Sequence, residues 1–270
     1  MFSTVSLSHS PSTPLLPEVF STGNLIVDGG TVTLSQSPTV RQIVAQRPRR
    51  ARVFEKYGIS YCCCSGNKTF MEACAEQNVD ADKVLAELLV SDAFTRKAPS
   101  ESFGEWGRDR SGELRRHIVD VHHGFLQSEL PRLSYLIDRV ANRHGNHYND
   151  LWELQRLFEE FKEEAEWHVE REEKQLFPLL ERLEAGEASH ELRDSIGKVI
   201  CTLELEHAYL SQTMACMSAL TAGFQVPETA CNTFRVMLNS LEELGNVMDF
   251  YTGKEASLLF VWAQEEPKLQ

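Results

Sequence analysis

Leu154 to Leu179 reads LQRLFEEFKEEAEWHVEREEKQLFPL. Its apolar residues recur in steps of three and four: Leu154, Phe158, Phe161, Ala165, then Leu176 and Leu179. That spacing keeps one stripe of a helix turned toward bundle neighbours. Where two further apolar residues belong, the stripe carries His168 and Glu172. They are four residues apart, about 6 Å along a helix and on one face, so an imidazole and a carboxylate can reach one ion from adjacent turns.

Three more stripes of the same kind can be written outward from this one. The first is Val119, His123, Leu126, Leu130, Leu133, Ile137, Val140; the third is Ile196, Ile200, Leu203, His207, Leu210, Met214, Met217. The fourth is Phe234, Met237, Leu241, Leu244, Met248, Tyr251, Glu255, Leu258, Trp262, and it repeats the four-residue spacing with Tyr251 and Glu255. All four helices therefore break pattern at core positions. Burying an unpaired carboxylate costs several kcal/mol, so two carboxylates and three imidazoles in one core need a compensating charge, which a bound cation supplies. A lone histidine in such a seam is more often a hydrogen-bonded core residue, and Tyr251 alone would pass for core. The joint break in all four stripes is what carries the metal reading. Three nitrogens, two carboxylates able to bridge and a phenol suit iron or manganese in a helical bundle, and no thiolate joins them to indicate zinc. The expectation is a four-helix bundle over residues 113–264 that holds a non-haem iron centre, most simply di-iron.

Ahead of the bundle, residues 1–38 are rich in Ser, Thr and Pro and read as a disordered tail. Within it, Leu25-Ile26-Val27 before Asp28-Gly29-Gly30 could form a stray hairpin, marginal alone. Residues 39–97 read as a small helical domain: Thr39 with Gln42 and Thr69 with Glu72 make capping boxes, Gly58 marks a helix stop, and Val79 to Val90 forms a third helix. Residues 98–112 form a polar linker. Arg47, Arg49, Arg50 and Arg52 are a basic cluster that could dock an acidic partner but reads more simply as a solvated helix face.

The 270 residues carry a formal net charge of −13, which opposes binding to nucleic acid or to anionic membrane. No run of 18 apolar residues could span a bilayer and no secretory signal opens the chain, so the expectation is a cytoplasmic protein. The seven cysteines are an odd number, and Cys62, Cys63 and Cys64 are adjacent, too close for ordinary disulfides among themselves. They read as a metal-binding or redox-active thiol cluster just ahead of a helix N-terminus, where helix dipoles favour thiolate. The blander reading is an inert buried cluster.

Between Thr39 and Trp262 the chain resembles the di-iron iron-sulfur cluster repair family. The residues that carry the resemblance are Phe54-Glu55-Lys56-Tyr57-Gly58-Ile59-Ser60-Tyr61-Cys62-Cys63, His117 through His123 with Leu130-Pro131, and His144-Gly145; they continue with His168 through Glu173, Leu176-Phe177-Pro178, and Glu206-His207. The resemblance implies an all-α protein, a hemerythrin-like four-helix bundle preceded by a small helical cysteine-bearing domain. It also implies two irons per chain held by four histidines and two bridging glutamates, which carry over to His123, His168, His207, Glu172 and Glu255. Tyr251 stands where the fourth histidine belongs, and its phenolate would suit ferric iron. Cys62 and Cys63 match a family pair that would act as redox or transfer ligands, with Cys64 added. His117 and His144 are assigned supporting or access roles. The implied function is repair of iron-sulfur or other iron centres damaged by nitric oxide or peroxide, through donation of labile iron to iron-sulfur client proteins. An open position would bind nitric oxide or oxygen. The rival readings are a di-iron enzyme reducing nitric oxide or peroxide and a hemerythrin-like gas sensor, and an oligomer is compatible with all three.

Overall fold

The computed structural model describes residues 24–27, 30–33, 38–62, 66–94, 111–187 and 189–264. Cys63 and Cys64, most of the linker and most of the tail lie outside them. Residues 1–38 and 39–270 are two separate units. In the first, β1 (Asn24–Val27) and β2 (Gly30–Thr33) pair as an antiparallel hairpin with Asn24 opposite Thr33.

The regular elements of the second unit are all helices among its described residues. Its N-terminal part holds α1 (Val40–Gln46), a 3-10 turn (Pro48–Arg50), α2 (Ala51–Lys56), α3 (Phe70–Glu76) and α4 (Ala81–Phe94). Both expected capping boxes are present, at Thr39 with Gln42 and at Thr69 with Glu72. In each, two backbone donors that helix geometry would leave unmet find side-chain acceptors. The two caps also pair with each other across an isolated β-bridge, which sets the starts of α1 and α3 side by side. Gly58 ends the α2 segment at φ +66, a left-handed conformation that glycine adopts without a Cβ clash.

The bundle is built from α5 (residues 111–144), α6 (150–184), α7 (His190–Leu220) and α8 (232–264). Its stripes bury largely as written, with Leu126, Leu130, Leu133, Ile137 and Val140 of α5 facing Leu154, Phe158, Phe161 and Ala165 of α6 in one apolar cluster. The small helices share that cluster through Val40, Val44, Phe54, Val84 and Leu88, so they dock on the bundle. A second cluster occupies the other end of the bundle, from Leu114 and Ile118 to Leu176, Ile200, Leu203, Leu259 and Phe260. The interrupted positions of all four stripes fall between the two.

The basic cluster departs from its expected solvated face. Arg50 is buried and its guanidinium forks onto Asp92, with Nε 3.1 Å and Nη2 2.5 Å from the two carboxylate oxygens. Arg52 reaches Glu129 of α5 at 2.9 Å and Glu243 of α8 at 2.8 Å. The charges on one short segment are thus spent on acidic residues brought from distant parts of the chain, which periodicity alone does not reveal. Among the described residues no helix is long and apolar enough to cross a membrane.

Candidate metal centre

Three of the four bundle helices open into a π turn at the polar layer: Ile118–His123 in α5, Glu172–Leu176 in α6 and Glu255–Phe260 in α8. A π turn carries more residues per turn than an α-helix, so consecutive side chains are separated by a smaller angle, and such turns recur at functional sites. In α5 this lets the neighbours His122 and His123 both bury. Glu172 and Glu255 each stand first in their π turns and are completely buried.

Five of the six side chains expected as ligands converge. His123 Nε2 lies 2.9 Å from Glu172 Oε2. His168 Nε2 is 3.2 Å from His207 Nε2, 3.8 Å from Glu172 Oε2 and 4.0 Å from Glu255 Oε2. His207 Nε2 is 3.1 Å from Glu255 Oε2. Among the described residues, His168, His207 and Glu255 offer ligand atoms that all lie within 4.8 Å of one another. The outward nitrogens are held by carboxylates: His123 Nδ1 by Glu173 at 2.7 Å, and His168 Nδ1 by Glu206 at 3.1 Å, itself bonded by Arg171 Nε at 2.6 Å. A carboxylate on the far nitrogen fixes the ring and its tautomer, the support that metal-binding histidines use.

The ionisable groups of the layer perturb one another. Burial pushes the Glu255 carboxyl well above the ordinary carboxylate range, and the nearby charge of Glu172 pushes the same way. For Glu172, burial is outweighed by His168 and His123, which hold its pKa down. Burial likewise opposes protonation of His123 and His168, but Glu172 and their outer carboxylates raise both. His207 falls to about 4, through burial and then the charge of His168, and His122 falls to about 3, chiefly through burial. Glu172 Oε1 and both oxygens of Glu255 are buried without a hydrogen-bond partner. Such orphaned acceptors cost free energy unless something outside the chain meets them, and a cation fits the donor set.

Tyr251 is buried at the edge of this layer. Its hydroxyl lies 3.2 Å from His117 Nε2, and its ring stacks on His122 at a centroid distance of 4.4 Å and an interplanar angle of 14°. His122 escaped the sequence reading because a strict helical period puts it off the stripe; the His122-His123 doublet was the available signal. His144 does not reach the layer. It lies 21 residues along α5 from His123, about 30 Å by helical rise, and contacts Cys231 Sγ at 3.3 Å.

Cys62 is half-buried and lines a cavity of about 520 Å³ with Glu55, Ser60, Tyr61, Arg132 and Arg139. Arg132 is nine residues from His123, about 14 Å along α5. Tyr61 donates a 2.5 Å hydrogen bond to Glu55, which Arg132 also holds, so the cavity wall ties the small helices to α5.

Buried histidines and glutamates from four antiparallel helices, with carboxylates bracing the rings, define a metal-binding four-helix bundle protein. Comparison with known proteins gives the family: residues 114–262 match the hemerythrin HHE cation binding domain, and the chain belongs to that family. Residues 36–91 match the ScdA_N domain of unknown function (DUF542), so the two parts come in the order that the resemblance to iron-sulfur cluster repair proteins implies. Similar proteins include iron-sulfur cluster repair protein ScdA of Staphylococcus haemolyticus (strain JCSC1435), 28% identical over 229 residues that cover 84% of this chain and 98% of the relative. Iron-sulfur cluster repair protein YtfE of Yersinia pseudotuberculosis serotype O:1b (strain IP 31758) is 27% identical over 213 residues, 79% of this chain and 90% of the relative.

Proposed function

We propose that this protein repairs iron-sulfur or other iron centres by donating iron from a di-iron site in the bundle. The observation that carries the reading is the pair Glu172 and Glu255, two wholly buried carboxylates from facing helices with unmet oxygens, flanked by three imidazoles. A pair of cations held between them would balance the charge, and two carboxylates able to bridge suit two ions better than one. The relatives that share both domains are named as iron-sulfur cluster repair proteins, which supports the same reading and makes iron-sulfur proteins the clients.

In this reading His123, His168, His207, Glu172 and Glu255 would hold the iron. Tyr251 supplies an oxygen donor, with His117 Nε2 beside the phenol oxygen to stabilise it. Bound iron supplies a redox-active Lewis acid at which nitric oxide or oxygen could bind. The chain's own contribution is to brace the rings through Glu173 and Glu206, and a shift of the Glu172 and Glu255 carboxylates would loosen the iron for release. Cys62 lines the cavity beside Arg132, about 14 Å along α5 from His123 and too far to join that ligand set, so it acts on the client side, with Cys63 as a second transfer or redox thiol. The test is transfer of radiolabelled iron from the loaded protein to an apo iron-sulfur protein. Two irons per chain and transfer faster than from free ferrous iron are the expected results; a loaded protein that transfers none would remove the donation reading.

A further inference from the structure

The ligand set just described leaves His122 unused. It is fully buried, and neither Nδ1 nor Nε2 has a hydrogen-bond partner. Its neighbours are treated differently: His123 engages Glu172 and Glu173 with its two nitrogens, and His168 engages Glu206 and His207. A neutral imidazole has one donor and one acceptor, and burying both unmet is a cost that folding alone does not explain. Leu, Ile or Phe at this position would bury the same surface without it.

The position of the ring is the second observation. His122 stacks face to face on Tyr251, the residue that stands in place of a histidine on the fourth helix, and its centroid is 5.8 Å from that of His123. The π turn Ile118–His123 is what brings two consecutive histidines of α5 inward together. A nitrogen-bearing ring is therefore offered beside Tyr251 from a different helix.

We infer that His122 is a metal ligand, supplying from α5, beside His123, the nitrogen missing at Tyr251. The inference rests on the di-iron reading and extends its ligand set. Tyr251 presents its ring face as a flat support that sets the plane of the His122 imidazole, and this holds whether or not its phenol also binds iron.

The test compares the full-length chain with His122→Phe, which keeps a flat ring for Tyr251 and removes both nitrogens. The wild type should bind two metal ions, and the variant should bind one of them at least tenfold more weakly in a cobalt(II) or iron(II) titration. Metal-free His122→Phe should be no less stable than the metal-free wild type, since the substitution removes an unmet polar group; a merely structural histidine would show the opposite pattern. A second measurement needs no variant. Proton NMR of the cobalt-loaded wild type should show four far-shifted exchangeable N–H signals, one per bound imidazole, where the ligand set without His122 gives three. Three signals, or a variant with wild-type affinity and spectrum, would overturn the assignment of His122 alone. A wild type that binds no metal would overturn the di-iron reading as well.

Discussion

Glu255 shows how much a single side chain reports. A carboxyl with no exposed surface and no hydrogen-bond partner is costly in a core, and a cation held against it would remove that cost. His168 bears on the same point, because its Nε2 faces His207, Glu172 and Glu255 at once. His168→Ala should lower bound iron to one equivalent or less per chain, measured by metal analysis beside the visible spectrum, and full retention of both would remove it from the ligand set. Tyr251 is judged by its colour. If the phenol oxygen binds ferric iron, a visible phenolate charge-transfer band should be present in the wild type and absent from Tyr251→Phe, with fold and iron content retained. An identical spectrum in the two proteins would leave Tyr251 as the ring that backs His122.

At the scale of elements, helix ends and π turns do different work. The cap at Thr69 is electrostatic as well as geometric. The backbone and side-chain hydrogen bonds from Thr69 hold the Glu72 carboxyl below its ordinary value of 4.5. A depressed carboxylate contributes stability that is fully present above its unfolded pKa and lost as pH falls through its folded pKa. The Glu72 titration, followed by NMR of its side-chain carbon, should therefore have its midpoint below 4.5, and Thr69→Ala should move it back up. Thr39→Ala removes the matching cap of α1 and should cost about 1 kcal/mol. The π turns carry no such redundancy. Each adds a residue to a helix that would otherwise keep its register, so deleting Val121, an exposed residue of the α5 turn, should restore an α-helical register and turn one of His122 and His123 away from the layer. Helix content by circular dichroism should be kept while bound iron falls.

Over the whole molecule, the small helices and the bundle are joined by charge as well as by apolar contact. Glu129 is buried between Arg52 of α2 and Arg132 of its own helix, at 2.9 and 2.8 Å. Glu129→Ala would leave two partly buried guanidiniums short of a partner and should lower unfolding stability by about 3 kcal/mol in urea, with iron per folded chain unchanged. Little of that network was legible beforehand, because ion pairs 77 residues apart leave no period in a sequence. The bundle was legible, since four stripes of three- and four-residue steps can bury only against one another, and so were the two capping boxes, whose partners lie three residues apart. That His123, His168, Glu172, His207 and Glu255 share one layer was legible for the same reason: an ionisable residue in an apolar stripe stands out wherever the helix period is kept. Tertiary structure decided what breaks that period or spans it. The π turns turned His122 inward, the docking of α2 on α5 and α8 spent the arginines that looked solvated, and the length of α5 carried His144 far from the layer. The sequence determines which faces must be buried, because hydrophobicity is written residue by residue. Which side chains meet within them depends on helix register and packing, and these are settled only when the four helices and the small helical cap close on one another.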